Sequence, residues 1–273
     1  MTSGDFDAWE QAHWQASAAT YAEGFDGYTT GAVRALLDAV DAAATEAGGD
    51  LLDVGPGPGF VASAALDRGW RVTGLDVAPA MLQLAAGRAP GARFERGSAE
   101  QLPFPDASFD AVVANFVLLH VSRPEAALAE VVRVLRRGGR AAFTVWDDGT
   151  VNRALGVFHD ALAAARLGRP AGIPEGPDPQ RFADRLAFAD LLGAAGLTDV
   201  QVVPVRWTFT VGAGAWWDTV LTSAPRTGSL LAGQAEADRA RARDAYGELV
   251  ELYQRGSKLA LPAAAVLAVG EKP

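Results

Sequence analysis

Leu51-Leu52-Asp53-Val54-Gly55-Pro56-Gly57-Pro58-Gly59 reads as a short apolar strand that ends in an acid and runs into a glycine-rich loop. Nineteen residues after Gly57, a second strand-like run, Trp70-Arg71-Val72-Thr73-Gly74-Leu75-Asp76, ends in another acid. Glycines let a backbone approach a ligand closely. A carboxylate about twenty residues further on can accept both hydroxyls of a ribose. The unit therefore suits a ligand that carries a nucleoside.

Several nucleotide sites begin with glycines. A dinucleotide fingerprint started at Gly55 needs Gly or Ala at position 60, where Phe60 stands; started at Gly57 it reaches Ala62 and stays open. Asp53, just before the loop, disfavours a nearby pyrophosphate and suits a cationic ligand. A P-loop needs Gly-Lys-Ser/Thr, but the only lysines are Lys258 and Lys272.

Later stretches extend the pattern in order. They are Gly97-Ser98-Ala99-Glu100-Gln101-Leu102-Pro103-Phe104, Phe109-Asp110-Ala111-Val112-Val113-Ala114-Asn115, and Leu135-Arg136-Arg137-Gly138-Gly139-Arg140. With the first two, they make residues 51–146 resemble a class I S-adenosylmethionine-dependent methyltransferase of the small-molecule type (the methyltransferase type 11 and quinone C-methyltransferase-like group). Ser98 stands where that family commonly has Asp, and the quinone enzymes' own strand-four signature is not reproduced, so their acceptor is not carried over.

The resemblance implies S-adenosylmethionine as cofactor, S-adenosylhomocysteine as its product, and no metal. It implies cofactor contacts from Tyr21, Asp53, Gly55, Pro56, Gly57, Asp76, Val77, Met81, Ser98, Ala99, Glu100, Asn115 and Phe116. Asp53 either touches the cationic methionine part or braces the loop, and Met81 meets adenine or the core. Asn115 contributes chiefly its backbone carbonyl. Tyr21 closes over the methionine end or joins Trp9 and Trp14 in a cluster pinning the N-terminal arm. His120 serves as a general base or lines the substrate pocket.

The fold expected is α/β, a Rossmann-like, seven-stranded, mostly parallel sheet with helices on both faces, the last strand antiparallel, plus a helical cap. The strand and helix alternation of the middle of the chain supports it. The core is expected in residues 35–147, 181–211 and 257–273 of a single domain, and the cap in 1–34, 148–180 and 212–256. Pro79 and Pro124 open helices, the second closing at Gly138-Gly139 before a strand over 140–146. Helices are expected over 151–167, 188–195 and 235–253, a turn near Pro225, and strands over 200–211 and 258–269.

Trp14, Trp146, Trp216 and Trp217 are candidate walls for a small, largely apolar acceptor, aromatic or of natural-product type, with core packing the alternative for the last three. The segment 212–256 is too apolar for disorder and is expected to face that acceptor as a lid.

At 273 residues, 49% of them apolar, the chain can bury a sizeable core. It has no cysteine, so disulfides and thiolate metal sites are excluded. A formal charge of −9 argues against a nucleic-acid surface, and Arg133, Arg136, Arg137 and Arg140 read as a solvated helix end. The polar start, Met1-Thr2-Ser3-Gly4-Asp5, and the lack of any apolar run near 20 residues favour a cytoplasmic protein without a membrane span. The reaction expected is methyl transfer to a small molecule. The alternatives are a cofactor-assisted rearrangement such as a cyclisation, or ligand binding without turnover.

Overall fold

The computed structural model describes residues 3–43, 48–174 and 176–273; residues 1, 2, 44–47 and 175, parts of the expected cap and core, lie outside the described residues. The chain opens with helices α1 (Ser3–Gly24), α2 (Asp26–Thr29) and α3 (Val33–Asp38). It then alternates β1 (Asp50–Val54), α4 (Phe60–Asp67), β2 (Arg71–Asp76), α5 (Pro79–Arg88), β3 (Arg93–Arg96), β4 (Phe109–Asn115), α6 (Pro124–Val134) and β5 (Leu135–Trp146). Next come α7 (Arg153–Ala164), α8 (Arg185–Ala194) and β6 (Thr198–Val211). The chain ends with α9 (Ala213–Ser223), α10 (Pro225–Ala232), α11 (Glu236–Val250), β7 (Gln254–Arg255) and β8 (Lys258–Glu271).

The strands lie in the order β3-β2-β1-β4-β5-β8-β6. All neighbours up to β5 are parallel, and β8 runs antiparallel to both β5 and β6. This is the expected Rossmann-like sheet. Among the described residues the two-residue β7 joins it as an eighth strand, paired to β8.

Alternation along the strands supplies two cores. Leu52, Val112, Ala114 and Phe143 face α6 and α8. Their neighbours Leu51, Ala111, Val113 and Ala142 face α3 and α4. Side chains on successive strand residues point to opposite faces, so a sheet covered on both sides needs such continuous apolar runs. The amphipathic set Val33, Leu36, Leu37 and Val40 fills the second of these cores.

Two local expectations are corrected. Helix α6 stops at Val134, not at Gly138-Gly139, because Leu135 is already extended (ψ 141°) and pairs with Phe109 across an irregular register. Gly138 (φ 75°) then lies inside a paired segment, its amide donating to the Lys272 carbonyl at 2.7 Å. Pro225 begins α10 instead of a turn, at the first helical position, where its missing N–H costs nothing.

Beyond β6 and β8, helices α7, α9, α10 and α11 share a third core around Phe158, Trp216, Trp217 and Tyr246. Helix α1 packs on α5 and α9.

The loop glycines divide by role. Gly59 (φ 89°) begins α4, and a Cβ there would stand 2.8 Å from the Ala85 Cα. Gly57 (φ 52°) has nothing within 4 Å of such a Cβ. We expect Gly59→Ala to lose roughly 1–3 kcal/mol from backbone strain alone, and more from the clash, visible as a lowered Tm. Gly57→Ala should lose less. Equal melting temperatures in the two variants would contradict this division.

Candidate cofactor and acceptor site

A cavity of about 410 Å³ opens outside the carboxyl ends of the parallel strands, where the order turns between β1 and β4. Open α/β sheets hold ligands at this crevice, because successive crossovers diverge there.

One wall comes from the loops after β1, β2 and β3: Gly55, Gly57, Asp76, Val77, Met81, Ser98, Ala99 and Glu100. The Asp76 carboxylate accepts the Ala78 amide at 2.9 Å and the Gly57 amide at 3.3 Å. Burial pushes its carboxyl up to about 6, and the amides of Ala78, Gly57 and Val77 restrain the rise. Met81 lines the cavity and packs on Ala18 and Ala78. The Ser98 hydroxyl accepts the Glu100 amide at 3.2 Å. Glu100 accepts the Arg123 amide at 2.8 Å and its Nε at 2.7 Å, so the carboxylate ties the loop after β3 to the loop after β4.

Two predicted contacts do not reach the cavity. Pro56 braces the loop: its carbonyl accepts the Gly59 amide at 2.9 Å and its ring lies over Gly74. Asp53 is wholly buried behind the loop, and neither carboxylate oxygen has a hydrogen-bond partner among the described residues. Burial, then the charge of Asp76, pushes its carboxyl up to about 8; the Ala62 amide offsets a part without reaching hydrogen-bond geometry.

The opposite wall is aromatic, with Trp14, Tyr21, Phe25, Phe116 and Trp146. Asn115 is clamped, its Oδ1 accepting from Thr144 Oγ1 at 2.6 Å and its Nδ2 donating to the Thr29 carbonyl at 3.3 Å. Phe116 holds a positive φ of 60°, a conformation a non-glycine residue adopts at a cost. Its ring stacks on Trp146 with centroids 3.6 Å apart, and Trp146 stacks on Tyr28 at 4.2 Å.

His120 also lines the cavity, with Nδ1 3.0 Å from Glu10 Oε2. The sequence reading missed Glu10, together with Asp7, Gln11, Asp147, Asn152, His159 and Arg226, all of which line the cavity. A signal for the first group was present. Asp7, Glu10, Gln11, Trp14, Tyr21 and Phe25 recur at helical spacing as a polar and aromatic stripe.

Trp216 and Trp217 are corrected. Neither touches the cavity; they are 0% and 2% exposed. Trp216 Nε1 donates to the Ala154 carbonyl at 2.7 Å, and its ring packs against Phe25 and Phe209. The segment 212–256 reaches the cavity through Ala224, Pro225, Arg226 and Thr227 instead.

The arginine cluster is not a helix end, because Arg136, Arg137 and Arg140 lie in β5, and two of its members are spent on ion pairs. Arg133 meets Glu130 and Asp106, and Arg136 meets Asp110 and Asp50. Among the described residues no group of three or more His, Cys, Asp or Glu side chains is arranged to hold a metal ion, and no helix is long and apolar enough to cross a membrane.

The methyltransferase domain family matches residues 52–143. An uncharacterized methyltransferase of Mycobacterium avium is 36% identical over 192 residues, 66% of this chain and 72% of that relative. The chain belongs to the S-adenosylmethionine-dependent methyltransferases. The ubiquinone/menaquinone biosynthesis C-methyltransferase UbiE of Rubrivivax gelatinosus is 36% identical over 175 residues, covering 58% of this methyltransferase and 66% of that one. Among solved structures, the YcgJ protein of Bacillus subtilis superposes with a TM-score of 0.57 at 25% identity, over 88% of this chain and 98% of that one.

For this methyltransferase, Trp216→Ala should cost about 3–5 kcal/mol of stability, as buried aromatic truncations do, measured by chemical denaturation. The milder Trp216→Phe should leave S-adenosylhomocysteine affinity unchanged. A parental unfolding midpoint for Trp216→Ala would show that the ring is not a structural anchor.

Proposed function

We propose that the enzyme transfers a methyl group from S-adenosylmethionine to a small, largely apolar acceptor held against its aromatic wall. The observation that carries this reading is the two-sided cavity at the β1/β4 switch point, acidic and glycine-lined on one side, aromatic on the other.

The residues fit the cofactor. Asp76 faces the cavity with its carboxylate held by two amides, so remaining lone pairs can accept ribose hydroxyls. Gly57 leaves open space where any side chain would intrude. The apolar side chains of Val77 and Met81 and the backbone at Ala99 frame a flat base. Asp53, buried without a partner, favours positive charge beyond Val54 and Gly55.

When bound, the cofactor supplies a methyl group activated by a cationic sulfur. The chain's own work is alignment and exclusion of water. Asn115 and Phe116 end β4 at the cavity, while Trp14, Phe25 and Trp146 keep an apolar acceptor in place and dry.

The reading is tested by calorimetric titration. Asp76→Ala removes a charged acceptor worth roughly 1.5–3 kcal/mol, so cofactor affinity should fall about 10- to 100-fold. The pH dependence has a defined sign. The unliganded carboxyl loses its proton near 6, and only the ionised form accepts two hydroxyls. Affinity should therefore rise as pH increases through about 6, with a smaller rise toward 8 from Asp53. The first step should vanish in Asp76→Ala. Tight NAD binding by the parent, or a flat pH profile, would refute the assignment.

A further inference from the structure

Glu10 on α1 and His120 on the loop after β4 are 110 residues apart in sequence and meet at the cavity wall, Oε2 to Nδ1, at 3.0 Å. The Glu10 side chain is 4% exposed. Its other oxygen, Oε1, has no hydrogen bond and faces Arg226 Nε at 3.7 Å. Arg226 is itself anchored, its Nη1 donating to the Pro177 carbonyl at 2.8 Å. Trp14 presses edge-on against the imidazole with ring centroids 5.0 Å apart.

A carboxylate hydrogen-bonded to Nδ1 sets the imidazole tautomer. The neutral ring then carries its proton on Nδ1 and presents the Nε2 lone pair. His120 Nε2 has no protein partner among the described residues, and the ring lines the cavity. A purely structural reading would make the pair a clamp for α1. That helix is already held by Gln11 Nε2 to the Val77 carbonyl at 3.2 Å, Gln15 Oε1 to the Ala80 amide at 3.0 Å, and Asp7 to Ser122 Oγ at 2.8 Å.

We propose that His120 is the general base, that Glu10 is its positioning residue, and that the acceptor is a flat aromatic hydroxyl compound, a phenol. This rests on the methyl-transfer reading above. A neutral amine attacks with its own lone pair and needs no base at that moment. A hydroxyl must shed its proton as it attacks. A flat ring suits the aromatic walls, Trp14 beside His120 and the stacked Phe116 and Trp146.

The step balances without another reactant. The phenol oxygen forms a bond to the methyl carbon while the carbon–sulfur bond breaks, and sulfur keeps the bonding pair as a neutral thioether. The phenol proton passes to His120 Nε2, and the imidazolium is stabilised by Glu10 until the proton leaves to solvent. The charged or titratable groups facing this pair are Asp7 and His13 on α1, Arg226 on α10, Glu100 after β3 and Arg123 on the loop of His120. Burial depresses His13, which keeps that ring neutral.

The test uses the full chain, S-adenosylmethionine and a panel of phenols with their matched anilines, with S-adenosylhomocysteine formation as the readout. We expect phenols to be methylated in a His120-dependent way, and any turnover of the anilines to be insensitive to His120→Gln. Glu10→Gln and His120→Gln should each lower kcat by about 100-fold or more, with acceptor KM and calorimetric S-adenosylhomocysteine affinity near parental values. Glu10→Asp should recover part of the loss. The acid limb of the kcat–pH profile should disappear in His120→Gln.

A second readout needs no acceptor. Nitrogen NMR of histidine-labelled protein, assigned by single replacement of its 3 histidines, should show neutral His120 protonated on Nδ1, a preference lost in Glu10→Ala. Parental kcat in the variants, an Nε2-protonated ring, or turnover confined to anilines or absent from the whole panel would overturn the proposal. Failure of the parent to bind S-adenosylhomocysteine would instead overturn the cofactor reading beneath it.

Discussion

Two carboxylates, Asp53 wholly buried and Asp76 partly so, stand at the carboxyl ends of adjacent parallel strands, and the arrangement of the site follows from what holds them there. Register places Asp53 opposite Gly74 and Val54 opposite Leu75, so Asp76 emerges just past the end of β1. The loop from Gly55 must then turn through positive φ at Gly55, Gly57 and Gly59 to bring one amide onto Asp76 and to start α4 behind it. Without a ligand the charge of Asp76 adds to burial in raising the cost of ionising Asp53. A cation that also carries hydroxyl donors would relieve that cost and meet Asp76 at once, which is the match the proposed cofactor offers.

The aromatic side of the cavity depends on elements far apart in the chain. Helix α1 supplies Glu10, Trp14 and Tyr21, the strand ends supply Phe116 and Trp146, and the α9–α10 junction supplies Arg226. Trp216 and Trp217 support this wall from behind: Trp216 packs on Phe25 and Tyr28, and Trp217 stacks on Phe158. Their bulk therefore sets the position of the aromatic lining while leaving the lining itself to thinner contributions from each helix.

The sheet and the glycine-and-acid wall of the cavity were legible because their signals are local. A strand, a glycine loop and an acid within one βαβ unit identify themselves by spacing, as Gly57 and Asp76 do. His120 stood out as a candidate, but its pairing with Glu10 did not, since a contact across 110 residues leaves no mark at either position alone. Trp216 and Trp217 were misread for a related reason. Their apolar character announced burial, but only the packing of α7, α9 and α11 shows against what. The α6–β5 boundary failed more simply, because the glycine pair taken as a helix stop stands within a paired strand, four residues past the true helix end at Val134.

The most direct test of the central claim is a crystal structure of the protein with S-adenosylhomocysteine. The account predicts the ribose hydroxyls on the Asp76 carboxylate, the amino-acid portion along Val54 to Gly57, and the sulfur facing the chamber walled by Trp14, His120 and Trp146. A ribose bound away from Asp76, or a sulfur turned from that chamber, would contradict it.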